Sequence, residues 1–242
     1  MILLIDIGNT NTVCAVHNNE KYIAYERIDC EDKIQKKINM FYKYNITRIA
    51  ISSVVPNLTD KLFEYLKQTF KITPFIVSYK NCNIKLDVNS KSEVGSDRIC
   101  NVRGAIEITK KNALVIDFGT ATTYDVINDN QEFIGGAISP GIDVSAEYLI
   151  QKAALLKNTT FTFPKKIISK NTKTNIQSGV MFGALYSIEG MINNIKLELK
   201  NDPYIILTGG FSKLISPKLT YQHILEPNLT LDGIRLIYND NQ

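Results

Sequence analysis

Histidine and cysteine chemistry has little to work with in this sequence. Of its 242 residues only His17 and His223 are histidine, and neither stands in a GxSxG or HExxH pattern, so triad hydrolysis and zinc hydrolysis fit poorly. The four cysteines, Cys14, Cys30, Cys82 and Cys100, form no CxxC pair and no Cys/His set with zinc spacing, and they read as buried free thiols. The longest apolar stretches, Met1 to Ile5 and Ala113 to Ile116, fall far short of the ~20 residues that span a bilayer. The amino terminus runs straight into a strand-like segment with an acid at Asp6, unlike a signal peptide. Neither sign of charge dominates: 28 Lys and Arg face 24 Asp and Glu, a net charge of +4, and the lysines are scattered rather than gathered into a stripe. A nucleic-acid or membrane partner is not favoured, and a cytoplasmic protein is expected. Walker A and GxGxxG are missing, and the chain has no Gly-Lys dipeptide, which excludes P-loop and Rossmann nucleotide binding as those signatures describe it.

What remains is an ordinary globular composition, 44% hydrophobic and 21% charged, with enough chain for one or two domains and a cleft between two lobes. The chain repeats itself. Ile5-Asp6-Ile7-Gly8-Asn9-Thr10-Asn11-Thr12-Val13 aligns, 111 residues later, with Ile116-Asp117-Phe118-Gly119-Thr120-Ala121-Thr122-Thr123-Tyr124, and a duplicated unit dictates the fold. Each copy follows an apolar run, precedes a second β-rich run and reaches a third after an Asn-rich turn, so each half opens as a three-stranded meander.

Beyond the first meander, the pattern predicts a helix over Asp32 to Tyr44, a buried strand over Arg48 to Val55 stopped by Pro56, a helix over Leu58 to Phe70 and a strand over Pro74 to Val77. Asn81 to Glu93 is polar and irregular, and Asp97 to Thr109 reads as a helix. The second half continues with a helix over Ile142 to Leu156, a loop over Lys157 to Thr174, a long helix over Ile176 to Leu199, and a strand over Tyr204 to Leu207. That strand enters Thr208-Gly209-Gly210, where another helix should start. The boundary between the halves falls near Asn112, giving lobes of residues 1–112 and 113–242.

A strand ending in Asp-x-Gly-Asn-Thr before another strand makes a hairpin whose small residues let backbone N–H groups approach an anion. An aspartate at the strand end can hold Mg²⁺ through water while the N–H groups and Thr10 hold phosphate oxygens. Gly8-Asn9 alone is equally a tight-turn dipeptide. Two such hairpins together with the Gly209-Gly210 junction make three parts of a nucleotide clamp.

This constellation resembles the acetate kinase, sugar kinase, Hsp70 and actin superfamily. More specific strings, Ser52-Ser53-Val54-Val55-Pro56, Gly95-Ser96-Asp97-Arg98, Asp117 to Thr123, Gly135 to Gly141, Asn171-Thr172 and Gln177-Ser178-Gly179, are together similar to type III pantothenate kinase over nearly the whole chain. The resemblance implies an α/β fold of two duplicated ribonuclease H-like lobes, the actin-like ATPase fold, with a mixed sheet in each and a cleft between them. It also implies a cytoplasmic homodimer that phosphorylates pantothenate with ATP and Mg²⁺, the first step towards coenzyme A.

The residue roles follow from that likeness. Asp6, Ile7, Gly8, Asn9, Thr10, Asn11, Thr12 and Val13 carry over as the first ATP hairpin, with Asp6 toward Mg²⁺ through water and Thr120 on ATP phosphate. Asp117, which by symmetry with Asp6 could equally take Mg²⁺, is implied to hold a monovalent cation, K⁺ or NH₄⁺. Gly95, Ser96, Asp97 and Arg98 are implied to contact pantothenate, with Asp97 the base; by position alone Asp97 caps a helix equally well. Arg98 offers a planar fork to the pantothenate carboxylate, or else makes a surface salt bridge. Thr172 is implied to reach substrate across a dimer interface, or else caps the helix after it, and the long helix Ile176 to Leu199 is the expected dimer surface. Val88-Asn89-Ser90-Lys91 stands where the family often has a tyrosine and an Asn-Pro pair, so either that wall of the pantothenate pocket differs or another residue supplies it. Two rivals remain at this point: another kinase of the superfamily, acting on a sugar or acetate, and a non-catalytic nucleotide sensor.

Overall fold

The computed structural model describes residues 1–29, 31–152 and 161–242. By contact it divides into two units: Met1–Lys110 with Gln131–Ile134 and Asn228–Gln242, and Lys111–Asn130 with Gly135–Pro227.

The first unit is built on β1 (Ile2–Ile7), an unbroken apolar run apart from Asp6. Such a run suits a central strand buried on both faces. Antiparallel β2 (Thr12–His17) lies on one side, followed by β3 (Tyr22–Ile28). Residues 31–43 are a 3₁₀ turn, the short α1 (Ile34–Ile38) and a second 3₁₀ turn, in place of the single helix expected over Asp32 to Tyr44. Ile34, Ile38 and Phe41 are all in the core, at the i, i+4, i+7 spacing a helix would bury, so the predicted apolar face is kept although the backbone breaks into shorter turns. β4 (Arg48–Ser53) then pairs parallel to the other side of β1.

Pro56 is the first residue of α2 (Pro56–Phe70), where its missing N–H costs nothing. β5 is only Phe75–Ile76, beside β4. α3 (Ser96–Thr109) ends at Lys110, a left-handed residue with φ of 53°. The sheet order is β3-β2-β1-β4-β5.

The second unit repeats the plan. β6 (Ala113–Phe118) is its central strand, with β7 (Ala121–Ile127) antiparallel and then β8 (Phe133–Pro140), whose first two residues count with the first unit. α4 (Ile142–Lys152) begins where the helix Ile142 to Leu156 is expected, whose last residues lie outside the described ones, as does part of the Lys157 to Thr174 loop. α5 (Thr172–Leu199) starts four residues before the expected Ile176, because Asn171 caps it by accepting the Thr174 N–H at 3.0 Å. β9 (Tyr204–Gly209) runs parallel to β6, and after α6 (Ser212–Ile215) the two-residue β10 (Ile224–Leu225) pairs parallel to β9. The order β8-β7-β6-β9-β10 equals that of the first sheet, strand for strand. Both sheets are mixed, and the duplication extends from nine aligned residues to the whole topology.

The final helix, α7 (Leu229–Asp240), belongs to the first unit and packs on α3. The contact units therefore differ from a simple division at Asn112. The physical reason is close helix approach: a Cβ on Gly233 would overlap the Cys100 carbonyl, and one on Gly104 would stand 2.8 Å from Leu229 Cδ1. Asn101 and Thr230 bond across this contact at 2.8 Å, and Arg103 pairs with Asp240 at 2.8 Å.

Gly233→Ala is expected to cost about 1–3 kcal/mol or more by overpacking. Gly190→Ala, on exposed helix with nothing near the added methyl, should instead stabilise by about 0.4–1 kcal/mol. Urea unfolding of the two variants measures both.

Candidate active site

In the first unit, β1 and β4 end together. Asp6 lies beside Ser52 on one side and Val13 on the other, and the Val54 N–H adds one more bond to the Ile7 carbonyl at 3.1 Å. The chain then turns at Gly8, whose N–H donates to the Asn11 carbonyl at 3.0 Å. Asn9 and Thr10 are exposed at the tip, Asp6, Gly8, Asn11 and Val13 are half-buried, and Ile7 and Thr12 are buried. Ile7 gives its side chain to the core, so at this hairpin it supports the tip rather than lining it.

Beside the carboxyl end of β4 sits the start of α3. The Ser96 hydroxyl accepts the Ser53 N–H at 2.8 Å, donates to the Ser53 carbonyl at 2.8 Å and meets Ser52 Oγ at 3.1 Å. Asp97 follows, with Oδ1 accepting the Arg98 N–H at 2.7 Å. Burial pushes the Asp97 carboxyl above its ordinary value, against the opposing pull of that N–H and of the Arg98 charge. Gly95 makes room for it: a Cβ there would lie 2.5 Å from Asp97 Oδ1 and 3.3 Å from Val54 Cγ1. The Arg98 guanidinium lies over the Phe133 ring, 5.4 Å from its centroid, a cation–π contact that orients its fork. Phe133 is fixed by the Lys85 carbonyl at 3.0 Å and by the Asp87 N–H at 2.8 Å.

In the second unit the same construction recurs. Asp117 lies beside Thr123 and Thr208, Gly119 N–H donates to the Ala121 carbonyl at 3.1 Å, and Gly210 N–H donates to the Phe118 carbonyl at 2.9 Å. Thr120 is exposed at the tip, and its carbonyl accepts the Gly141 N–H at 3.0 Å. Gly209 has φ of +84°, and a Cβ on it would overlap Asp117 Oδ1. A side chain there would fill the cradle at the carboxylate, leaving glycine as the residue that fits. Thr172 is the first residue of α5 and exposed, and the capping role belongs to Asn171.

The structure thus joins Asp6 to Val13 with Gly95 to Arg98 in one unit, and Asp117 with Thr120 and Gly209 in the other. Reading by motif missed two supports. Ser52 and Ser53 stand in the sequence only as part of a string, and Phe133 belongs to none of the motifs, because neither carries a chemical signature of its own. Cys14, Cys82 and Cys100 are buried free thiols, as expected, and burial holds the thiols of Cys14 and Cys100 far above their usual range; Cys30 lies outside the described residues. Among the described residues no group of three or more His, Cys, Asp or Glu is arranged to hold a metal ion, and no helix is long and apolar enough to cross a membrane.

Two mixed sheets of one topology, each ending in an Asp-x-Gly hairpin, define the actin-like ATPase class. MreB 5 of Spiroplasma citri bound to AMPPNP shares this fold at a TM-score of 0.53 and 10% identity, covering 98% of this chain and 96% of that one. A Campylobacter jejuni chain described as a Baf family transcriptional activator aligns at a TM-score of 0.63 and 21% identity, over 99% and 98% of the two chains. At these identities the likeness is one of fold. The family model for type III pantothenate kinase matches residues 2–194. A type III pantothenate kinase of Halalkalibacterium halodurans is 36% identical over 255 residues, covering 100% of each chain, and one of Citrifermentans bemidjiense is 35% identical over 254 residues with the same coverage. This chain belongs to the type III pantothenate kinase family.

Gly95→Ala should displace Asp97 while leaving the sheet intact. Unchanged far-ultraviolet circular dichroism with phosphotransfer reduced by about 100-fold is expected, the scale of a misplacement near 1 Å; unchanged turnover would show that the Asp97 position does not matter.

Proposed function

We propose that this kinase transfers the γ-phosphoryl group of ATP to the terminal hydroxyl of pantothenate, yielding 4′-phosphopantothenate and ADP, the first step towards coenzyme A. The observation that carries the reading is Asp97, held at the first turn of α3 with its pKa raised by burial, within a chain that matches the family along its length. A carboxylate of raised pKa beside an arginine fork suits a primary alcohol that also bears a carboxylate. Arg98 pairs with the substrate carboxylate, and Asp97 takes the hydroxyl proton as the alcohol oxygen bonds to the γ-phosphorus and the bond to the β-γ bridging oxygen breaks. Gly95 leaves space for the substrate.

The exposed hairpin tips at Asn9-Thr10 and at Thr120 offer backbone N–H groups and hydroxyls to phosphate oxygens. Asp6, half-buried at the end of β1, has the hard oxygen chemistry to hold Mg²⁺ through water, and Asp117 beside the Gly209 cradle has it for K⁺ or NH₄⁺. When bound, these ions neutralise charge on the phosphates. The protein acts in this reading as a cytoplasmic homodimer, with α5 at the dimer surface and Thr172 directed at the partner's substrate. Tyr186, half exposed on α5, supports that surface.

A coupled assay should show ATP-dependent turnover of pantothenate, stimulated by potassium; no turnover with or without potassium overturns the proposal. Asp97→Asn should lower kcat by about 10²- to 10⁴-fold while nucleotide binding, measured by calorimetry, stays within about twofold. Because the base acts deprotonated and its pKa is raised, kcat/KM should fall on acidification with a midpoint above the ~3.9 of an ordinary aspartate.

A further inference from the structure

We infer that Ser96 is a positioning residue, a clasp that fixes Asp97 against the end of β4, and that its hydroxyl does not bind substrate. The inference rests on the proposed role of Asp97 as base and concerns how that base is held.

β5 reaches only as far as Ile76, and the last bond on that side of β4 is the Val77 N–H to the Ile51 carbonyl at 2.8 Å. Ser53 is two residues beyond Ile51, so its N–H and C=O face the same side of the strand, where β5 has ended. Backbone groups in that position need partners, and the Ser96 hydroxyl supplies both: it accepts from the Ser53 N–H and donates to the Ser53 carbonyl, each at 2.8 Å. One side chain takes the place of the missing strand.

A serine hydroxyl has one proton to donate and two lone pairs. Ser53 N–H uses one lone pair, Ser53 C=O uses the proton, and Ser52 Oγ at 3.1 Å occupies what remains. Ser96 is 7% exposed, and no capacity is left for pantothenate. Asp97 is the next residue along the chain. The clasp also fixes that aspartate relative to the phosphate hairpin, since Ser52 and Ser53 lie in register with Asp6 and Ile7 of β1.

The neighbouring hydroxyls brace the same corner. Ser53 Oγ accepts the Val55 N–H at 3.1 Å and the Thr59 hydroxyl, tying the end of β4 to the first turn of α2. In the second unit Ser212 Oγ donates to the carbonyl of Gly209 at 2.6 Å. Gly209 is in register with Phe118 as Ser53 is with Ile7, so both copies of the repeat satisfy the carbonyl at this strand position with a serine hydroxyl. In the first copy alone, that serine adjoins the aspartate proposed as the base.

The test is a KM-against-kcat split. Ser96→Ala should lower kcat by about 10- to 100-fold with the KM values for ATP and pantothenate within about twofold, and Ser96→Thr, which keeps a hydroxyl, should recover most of the loss. A raised KM for pantothenate with kcat retained would mean that Ser96 binds substrate, and unchanged constants would mean that no clasp exists; either overturns the inference. Should Ser96→Ala fail to fold, Ser96→Cys, of similar volume but weaker hydrogen bonding, carries the same comparison.

The second readout needs no substrate, which keeps the clasp testable even if pantothenate is not turned over. Arg98 and Cys100 on α3 act electrostatically with Asp97, and Asp6 on β1 acts with it on Cys100. These groups are the same in the variant. Titration of the Asp97 side-chain carboxyl carbon by NMR should move to lower pH in Ser96→Ala, because a loosened helix start admits water to the carboxylate. An unmoved titration alongside a reduced kcat would mark Ser96 as merely structural and would also overturn the proposal.

Discussion

The hydrogen bond from the Val54 N–H to the Ile7 carbonyl, and its counterpart from Gly210 to Phe118, close the last rung between parallel strands in each unit. Because that rung exists, each central strand and its parallel neighbour stop at the same level, and a carboxylate from one stands beside a hydroxyl from the other: Asp6 by Ser52, Asp117 by Thr208. The antiparallel partner then has to leave through a tight hairpin, which puts its tip where backbone N–H groups meet solvent. A one-residue slip would turn each aspartate to the opposite face of its sheet and remove the carboxylate from the hairpin altogether.

Given that frame, the first unit brings Asp97 to the strand ends by packing rather than by sequence proximity. α3 is held at its start by Ser96 on β4 and along its length by α7, through Gly104, Gly233, Asn101 and Arg103. The helix is thereby held at its start and along its length, and Asp97 keeps a half-buried setting that opposes its ionisation. Arg98 is steadied differently, by lying on the Phe133 ring. Phe133 arrives from far along the chain, yet its backbone is bonded to the loop of Lys85 and Asp87. The two residues proposed to hold pantothenate are adjacent in sequence and depend on separate tertiary supports.

The repeat was legible because apolar runs flanking Asp-x-Gly carry a strong local pattern, and local pattern fixed the strands, the hairpins and the long helices. It failed where the outcome depended on backbone geometry, caps and distant packing that apolar periodicity does not record. Residues 31–43 bury Ile34, Ile38 and Phe41 at helical spacing and still break into short turns, so the apolar period gives the buried face without giving the backbone. The start of α5 was misplaced because the cap is Asn171 and not a residue nearer the apolar stretch. The carboxyl-terminal helix gave no sign that it belongs with the first unit, since nothing local in Gly233 records that Cys100 lies against it.

What the sequence by itself determined is the chemistry: two carboxylates at strand ends, small residues at two hairpins, and the Gly-Ser-Asp-Arg string, each set by residue type and spacing within a few positions. The tertiary structure alone decided which of these meet and in what state. The raised pKa of Asp97, the occupied hydroxyl of Ser96, the ring beneath Arg98 and the glycine cradle at Asp117 all depend on atoms distant along the chain. Desolvation, hydrogen-bond capacity and steric room are properties of surroundings, and the surroundings exist only once the strands have ended together.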